Sequence, residues 1–137
     1  MGGKSRDDPM SVVNPSEFEW EPKESLPPGA YSATVHGDPT EGEYAFVARF
    51  PAGFTVPTHW HTNDVAVVLM KGSMTIRRDG RPNVAIREGG FFFLPGGMRY
   101  VAHTPGECVF LAYGPEPFDI FYANPKDDPR TKRTDRR

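Results

Sequence analysis

The chain has 137 residues, 37% of them hydrophobic, and a formal net charge of −2. That length predicts one domain with a buried core, and the near-balanced charge gives no bias toward nucleic acid or membrane. The single cysteine, Cys108, excludes an intrachain disulfide, and the longest apolar run, residues 65–70, is too short to span a bilayer. No secretory leader is read at the start, so a cytoplasmic, reducing setting is expected.

Fifteen prolines and fourteen glycines are spread along the chain, which suits short strands and tight turns better than long helices. Residues 1–11 are polar and aperiodic and read as a flexible arm. Residues 12–125 read as a single domain. Its opening, FEWEPKESLPPGA, suggests an extended segment laid across a sheet. YSATVHG and YAFVARF follow as strands, with DPTEGE as the turn between them. VAVVLM and SMTIRR come next, and Asp79-Gly80 signals a type I′ hairpin into PNVAIRE. FFFL, RYVAH, ECVFLAYG and FDIFYA complete about ten strands, the pattern of an all-β sandwich or barrel. In the FFF run, alternation sets Phe92 against Phe91 and Phe93. Residues 126–137 are basic, lack an apolar anchor and read as a flexible tail.

The chemistry concentrates in GFTVPTHWHTNDVAVVLMKG, residues 53–72. On a strand, residues i and i+2 share a face about 6.5–7 Å apart. His59 and His61 can therefore converge on one metal ion, with Trp60 pointing the other way. A lone pair of this kind is as often ordinary surface, so the frame around it carries the weight.

Gly53, five residues, His59, one residue, His61, and Gly72 eleven residues later resemble the first motif of the cupin family. Gly89, five residues, Pro95, one residue and Gly97 resemble its second motif. The resemblance covers residues 18–129 and implies a cupin-type double-stranded β-helix, a jelly-roll barrel with a metal pocket inside one end. Two positions depart from the pattern. The family's Glu, four residues after the second His, is Val65 here, and Asp64 beside it lies on the opposite pleat. The family's third His is replaced by Tyr100.

Three readings of the site follow. A bulge between Met98 and His103 turns His103 inward, giving a three-histidine metal site of His59, His61 and His103. Alternatively, Tyr100 takes the ligand position, or the cavity binds a small molecule without metal. His36 is a further candidate ligand or neighbour. Imidazole donors suit Fe²⁺, Zn²⁺, Ni²⁺ and Cu²⁺, and Fe²⁺ is the favoured ion. Tyr100 is the expected proton donor, and Arg99 the expected partner of a substrate anion. Phenylalanines such as Phe46, Phe50 and Phe110, with Met70 and Met74, are expected to make the pocket greasy.

By resemblance, the expected function is a metal-dependent, dioxygenase-like enzyme acting on a small enolisable or aromatic oxygenated compound. The alternatives are a metal-assisted cyclase or isomerase of polyketide type and a non-catalytic binding cupin. A homodimer pairing through strand edges is expected, with no nucleic-acid or membrane partner.

Overall fold

The structure, a computed structural model, describes residues 8–131. Eleven strands form two antiparallel sheets among these residues. The first sheet holds β1 (Glu21–Pro22), β2 (Tyr31–Gly37), β3 (Tyr44–Phe50), β10 (Cys108–Gly114), β5 (Val65–Lys71) and β8 (Phe91–Leu94), in that spatial order. The second holds β11 (Phe121–Tyr122), β4 (Phe54–Trp60), β9 (Tyr100–Thr104), β6 (Met74–Arg77) and β7 (Val84–Ile86). Consecutive strands swap sheets repeatedly, as in a jelly roll.

The core lies between the sheets because each strand sends alternate residues inward. Val65, Val67 and Leu69 of β5 are buried while Val68 and Met70 are exposed. Phe46, Ala48 and Phe50 of β3 meet Phe110 and Ala112 of β10 in one apolar cluster. In β8, Phe92 packs on that cluster, whereas Phe91 and Phe93 are 62% and 52% exposed, as alternation predicts. Among the described residues β8 pairs only with β5 and forms one border of its sheet. Burial pushes the Cys108 thiol up to about 11, which makes it an unreactive part of this core.

Gly72 ends β5 at φ 80°, and a Cβ there would run into the Glu107 carbonyl. Only glycine fits both the left-handed backbone and that close approach.

Some expectations are corrected. Asp79-Gly80 does not form a type I′ hairpin, because only Gly80 takes a positive φ. A wider loop joins β6 to β7, closed by a bond from Arg81 N to Arg78 O at 3.3 Å. Met70 faces outward and does not line the pocket. The tail expected from residue 126 enters the packed structure: Pro125–Asp127 form a 3₁₀ turn, and Arg130 Nη2 donates to Ile120 O at 2.8 Å. Residues 1–7 of the expected arm and 132–137 of the expected tail lie outside the described residues.

Candidate metal and ligand site

His59 and His61 are 2% and 6% exposed and face the space between the sheets. A bulge in β4 puts them there. Opposite β9, Val56 pairs with Ala102 and His59 with Tyr100, so Pro57 and Thr58 together oppose Val101. Phe54 and Val56 point inward in one phase, and His59 and His61 in the other. Proline suits the bulge because it has no N–H to offer a ladder.

Both rings are held by main-chain carbonyls. His59 Nδ1 lies 2.8 Å from Pro57 O, and His61 Nδ1 lies 2.7 Å from Asp119 O. A carbonyl only accepts, so each Nδ1 carries the proton and each Nε2 is left with its lone pair. His61 Nε2 accepts the Tyr100 O–H at 2.8 Å. Among the described residues no protein group bonds His59 Nε2. Among the described residues no buried side-chain nitrogen or oxygen lacks a partner, so this atom is open to the cavity. Burial first, then the neighbouring His61, pushes His59 down to about 3. Burial likewise lowers His61. Both imidazoles are therefore neutral at physiological pH, the form that binds a metal.

The segment after β10 builds the outer support. Asp119 accepts from His61 through its carbonyl and from Thr62 N through Oδ1 at 2.7 Å, and Pro117 O accepts from Asn63 Nδ2 at 3.0 Å. The Pro95–Gly97 turn packs on the same backbone, with Gly97 N donating to His61 O at 2.7 Å. Asp64 accepts from Gly96 N at 2.8 Å and faces away from the cavity. Val65 is buried and lines the cavity.

The other two histidines stand elsewhere. β9 is regular, with Tyr100, Ala102 and Thr104 buried on one face and His103 on the other. The bulge expected between Met98 and His103 does not form; the irregularity is in β4 instead. His103 Nδ1 is 2.7 Å from Thr55 Oγ1 on the outer face, so His103 does not join His59 and His61. His36 is exposed, 3.5 Å from Glu43 Oε1. Among the described residues no three His, Cys, Asp or Glu side chains group to hold a metal. Arg99 is also displaced from its expected role: its guanidinium stacks 4.0 Å over the Trp60 ring on the outer surface, with Phe121 on the same indole.

Tyr100 does stand with the pair. It is 6% exposed, its ring 4.2 Å from that of His59, and burial raises its pKa so that the phenol keeps its proton. The histidine ring centroids are 5.2 Å apart at 77°. An ion at normal bonding distance from two Nε2 atoms stands about 3 Å from each centroid, so a tetrahedral angle separates them by about 5 Å. This spacing fits one divalent ion once the Tyr100 O–H turns away from His61 Nε2, and Tyr100 is then an adjacent oxygen donor.

The profile of the ChrR cupin-like domain matches residues 8–118. The chain belongs to the ChrR cupin-like family. No curated protein matches its sequence. Among solved structures, this cupin resembles the polyketide cyclase RemF from Streptomyces resistomycificus, with TM-score 0.73, 18% identity, and 91% and 93% of the two chains covered. It also resembles a provisionally assigned acetylacetone dioxygenase from Methylibium petroleiphilum, with TM-score 0.69, 20% identity, and 92% and 88% covered. An RmlC-like cupin from Ralstonia eutropha gives TM-score 0.68 at 19% identity over 91% and 82%. At such identities the likeness is one of fold.

The cavity in front of the histidines has a volume of about 60 Å³. Its walls are mostly core side chains, including Phe46, Val65, Met74 and Ile120. Among the lining residues that the sequence reading missed are Lys23 and Phe118. Phe118 stacks 4.9 Å from the His61 ring. Lys23 is the only Lys, Arg, Asp or Glu in the lining among the described residues. Lys23 follows β1, and nothing in its local sequence marks it as inward; only the docking of β1 on β2 carries it to the cavity.

Proposed function

We propose that this cupin binds one divalent transition metal through His59 and His61, with Tyr100 beside it, and takes a small oxygen-donor ligand at that centre. The observation that carries this reading is the pair of neutral imidazoles lining one cavity, each with Nδ1–H committed to a carbonyl, His59 Nε2 open and His61 Nε2 holding only the Tyr100 O–H, which an ion would displace. Ligating histidines are held in the same way, their second ring nitrogen donating to a carbonyl or carboxylate. The bound ion would supply Lewis acidity toward oxygen donors, undiminished by any carboxylate ligand. The chain's own groups do the rest. The phenol of Tyr100 holds a proton beside His61, and the apolar wall excludes water from the ligand.

The size of the cavity bears on the substrate. About 60 Å³ accepts a ligand of a few heavy atoms. It falls well short of the roughly 150 Å³ that takes benzene. A small ligand is therefore favoured over an aromatic one. The dioxygenase reading drew on three converging imidazoles, and His103 lies outside the set. Ligand binding therefore ranks first, with polarisation of a bound carbonyl, as a cyclase or isomerase uses it, second. Tyr100 favours that second reading, since its O–H is a proton donor within the cavity. The ion itself, Fe²⁺, Zn²⁺, Ni²⁺ or Cu²⁺, is open to any imidazole site.

Loading with Co²⁺ tests the reading. Bound cobalt should give visible d–d bands that acetohydroxamate shifts in the wild type. His59→Ala should show neither bands nor shift. Absence of a protein-bound cobalt spectrum in the wild type contradicts the proposal. A homodimer is proposed through the β8 border, where unpaired strand edge and the exposed Phe91 and Phe93 are continuous. Sedimentation of Phe91→Ser/Phe93→Ser should show a monomer where the wild type sediments as a dimer. Equal sedimentation of the two contradicts that contact.

A further inference from the structure

Lys23 reaches the cavity from outside the two sheets. Its main chain is fixed by bonds from Lys23 N to Ala30 O at 2.9 Å and from Leu26 N to Lys23 O at 3.0 Å. Its ammonium lies 4.6 Å from the centroid of the Phe46 ring and 4.8 Å from that of Phe118. Those rings meet edge to face at 5.2 Å, and Phe118 in turn packs on His61. No carboxylate among the described residues forms an ion pair with Lys23. Lys23 and Leu26 also line an outer groove bounded by Pro27, Pro28, Thr55 and Pro57. The lysine therefore stands between the open groove and the histidine cavity.

A partly buried ammonium normally has a carboxylate partner, because desolvation costs it several kcal/mol. Two aromatic faces return only about 0.5–2 kcal/mol. The desolvation is visible in the group itself, whose pKa burial lowers. Lysine's positive charge also acts on His61, lowering that imidazole further. An ion held by His59 and His61 would add a second positive centre facing the same cavity. Two cationic centres around so small a space favour an anion between them.

We propose that Lys23 is the anion-recognition residue of this cavity, selecting small carboxylic acids, whose carboxylate it receives at the groove-side mouth while their remaining atoms extend toward His59 and His61. This rests on the reading of the cavity as the ligand site and names the class of ligand. It is separable from the metal, because Lys23 bonds to neither imidazole nitrogen. Cation–π contacts hold the ammonium in place without using it up, leaving its protons for a carboxylate.

The test uses acetate and its neutral isostere acetamide as probes. Binding is followed by chemical-shift changes at the backbone amides of His61 and Asp119. The wild type, Lys23→Met and Lys23→Arg are compared, with metal content and melting temperature measured on the same samples. Acetate should bind the wild type in preference to acetamide. Lys23→Met should weaken acetate by about tenfold or more, the loss of one charge-assisted hydrogen bond, at unchanged metal content. Lys23→Arg, which keeps the charge and can stack on the same rings, should restore most of that affinity. Unchanged acetate binding in Lys23→Met, or no preference for acetate in the wild type, overturns the assignment. The metal content of the same samples then reports separately whether the His59–His61 centre survives.

Discussion

Two pairs of histidines divide this molecule. His59 and His61 lie between the sheets and line one cavity, each with Nδ1 on a main-chain carbonyl. His36 and His103 lie on outer faces, near the side chains of Glu43 and Thr55. All four are on or next to strands, and three belong to neighbouring strands of one sheet. The difference comes from strand phase. One extra residue at Pro57–Thr58 turns the HWH pair inward, while β9 keeps its period and leaves His103 outside. A histidine count therefore says little about a metal site until the position of each bulge is known.

The largest way to sharpen this contrast is acid. His59 is held near 3 in the folded state against about 6.5 unfolded. The unfolded chain therefore binds more protons between those values, and stability falls as pH falls through that window. Well below pH 6.5 the loss from His59 alone should approach about 1.4 kcal/mol per pH unit. His61, lowered in the same direction, adds to it. Urea unfolding of the metal-free protein at pH 7 and pH 4.5 measures the slope. His59→Gln should flatten it, and an unchanged slope would mean that the pair is not buried neutral.

Tyr100→Phe comes next. It leaves His61 Nε2 without its bond, at a cost of about 1–3 kcal/mol for a buried acceptor. If Tyr100 assists at the ion, metal affinity should fall as well, which a competition titration with a chelator would read. Val65→Glu works in the opposite sense. A carboxyl in this apolar wall should cost the metal-free protein about 1–3 kcal/mol, and a divalent ion should recover the loss. If Asp64→Ala strips the metal instead, the β5 register is wrong. The smallest expected effect belongs to Arg99→Ala. Loss of the stack on Trp60 should cost about 0.5–1 kcal/mol in thermal unfolding, with metal and ligand binding unchanged. A lost binding function there would place Arg99 back in the site.

The parts legible in the sequence were those fixed by local spacing. The glycine frame of both motifs, the shared face of the HWH pair and the opposition of Phe92 to Phe91 and Phe93 each follow from period two and from turns that glycine serves. The parts hidden from it depend on tertiary placement. The bulge expected before His103 does not form, and Gly96-Gly97 serve instead where the turn packs on the His61–Thr62 backbone. Asp79-Gly80 looked like a hairpin turn, but the strands on either side pair too far from it. Lys23 was read as part of an extended segment, and no local period could announce that Phe46 and Phe118 would receive it.

Metal content tests the central claim most directly. Protein purified without a metal-affinity step, then equilibrated with a divalent ion and desalted, would be assayed by mass spectrometry for metal per chain. The account predicts about one ion per chain in the wild type and in His36→Ala/His103→Ala. It predicts near-complete loss in His59→Ala and in His61→Ala. Full retention in both single variants, or loss in the His36/His103 double variant, would contradict it.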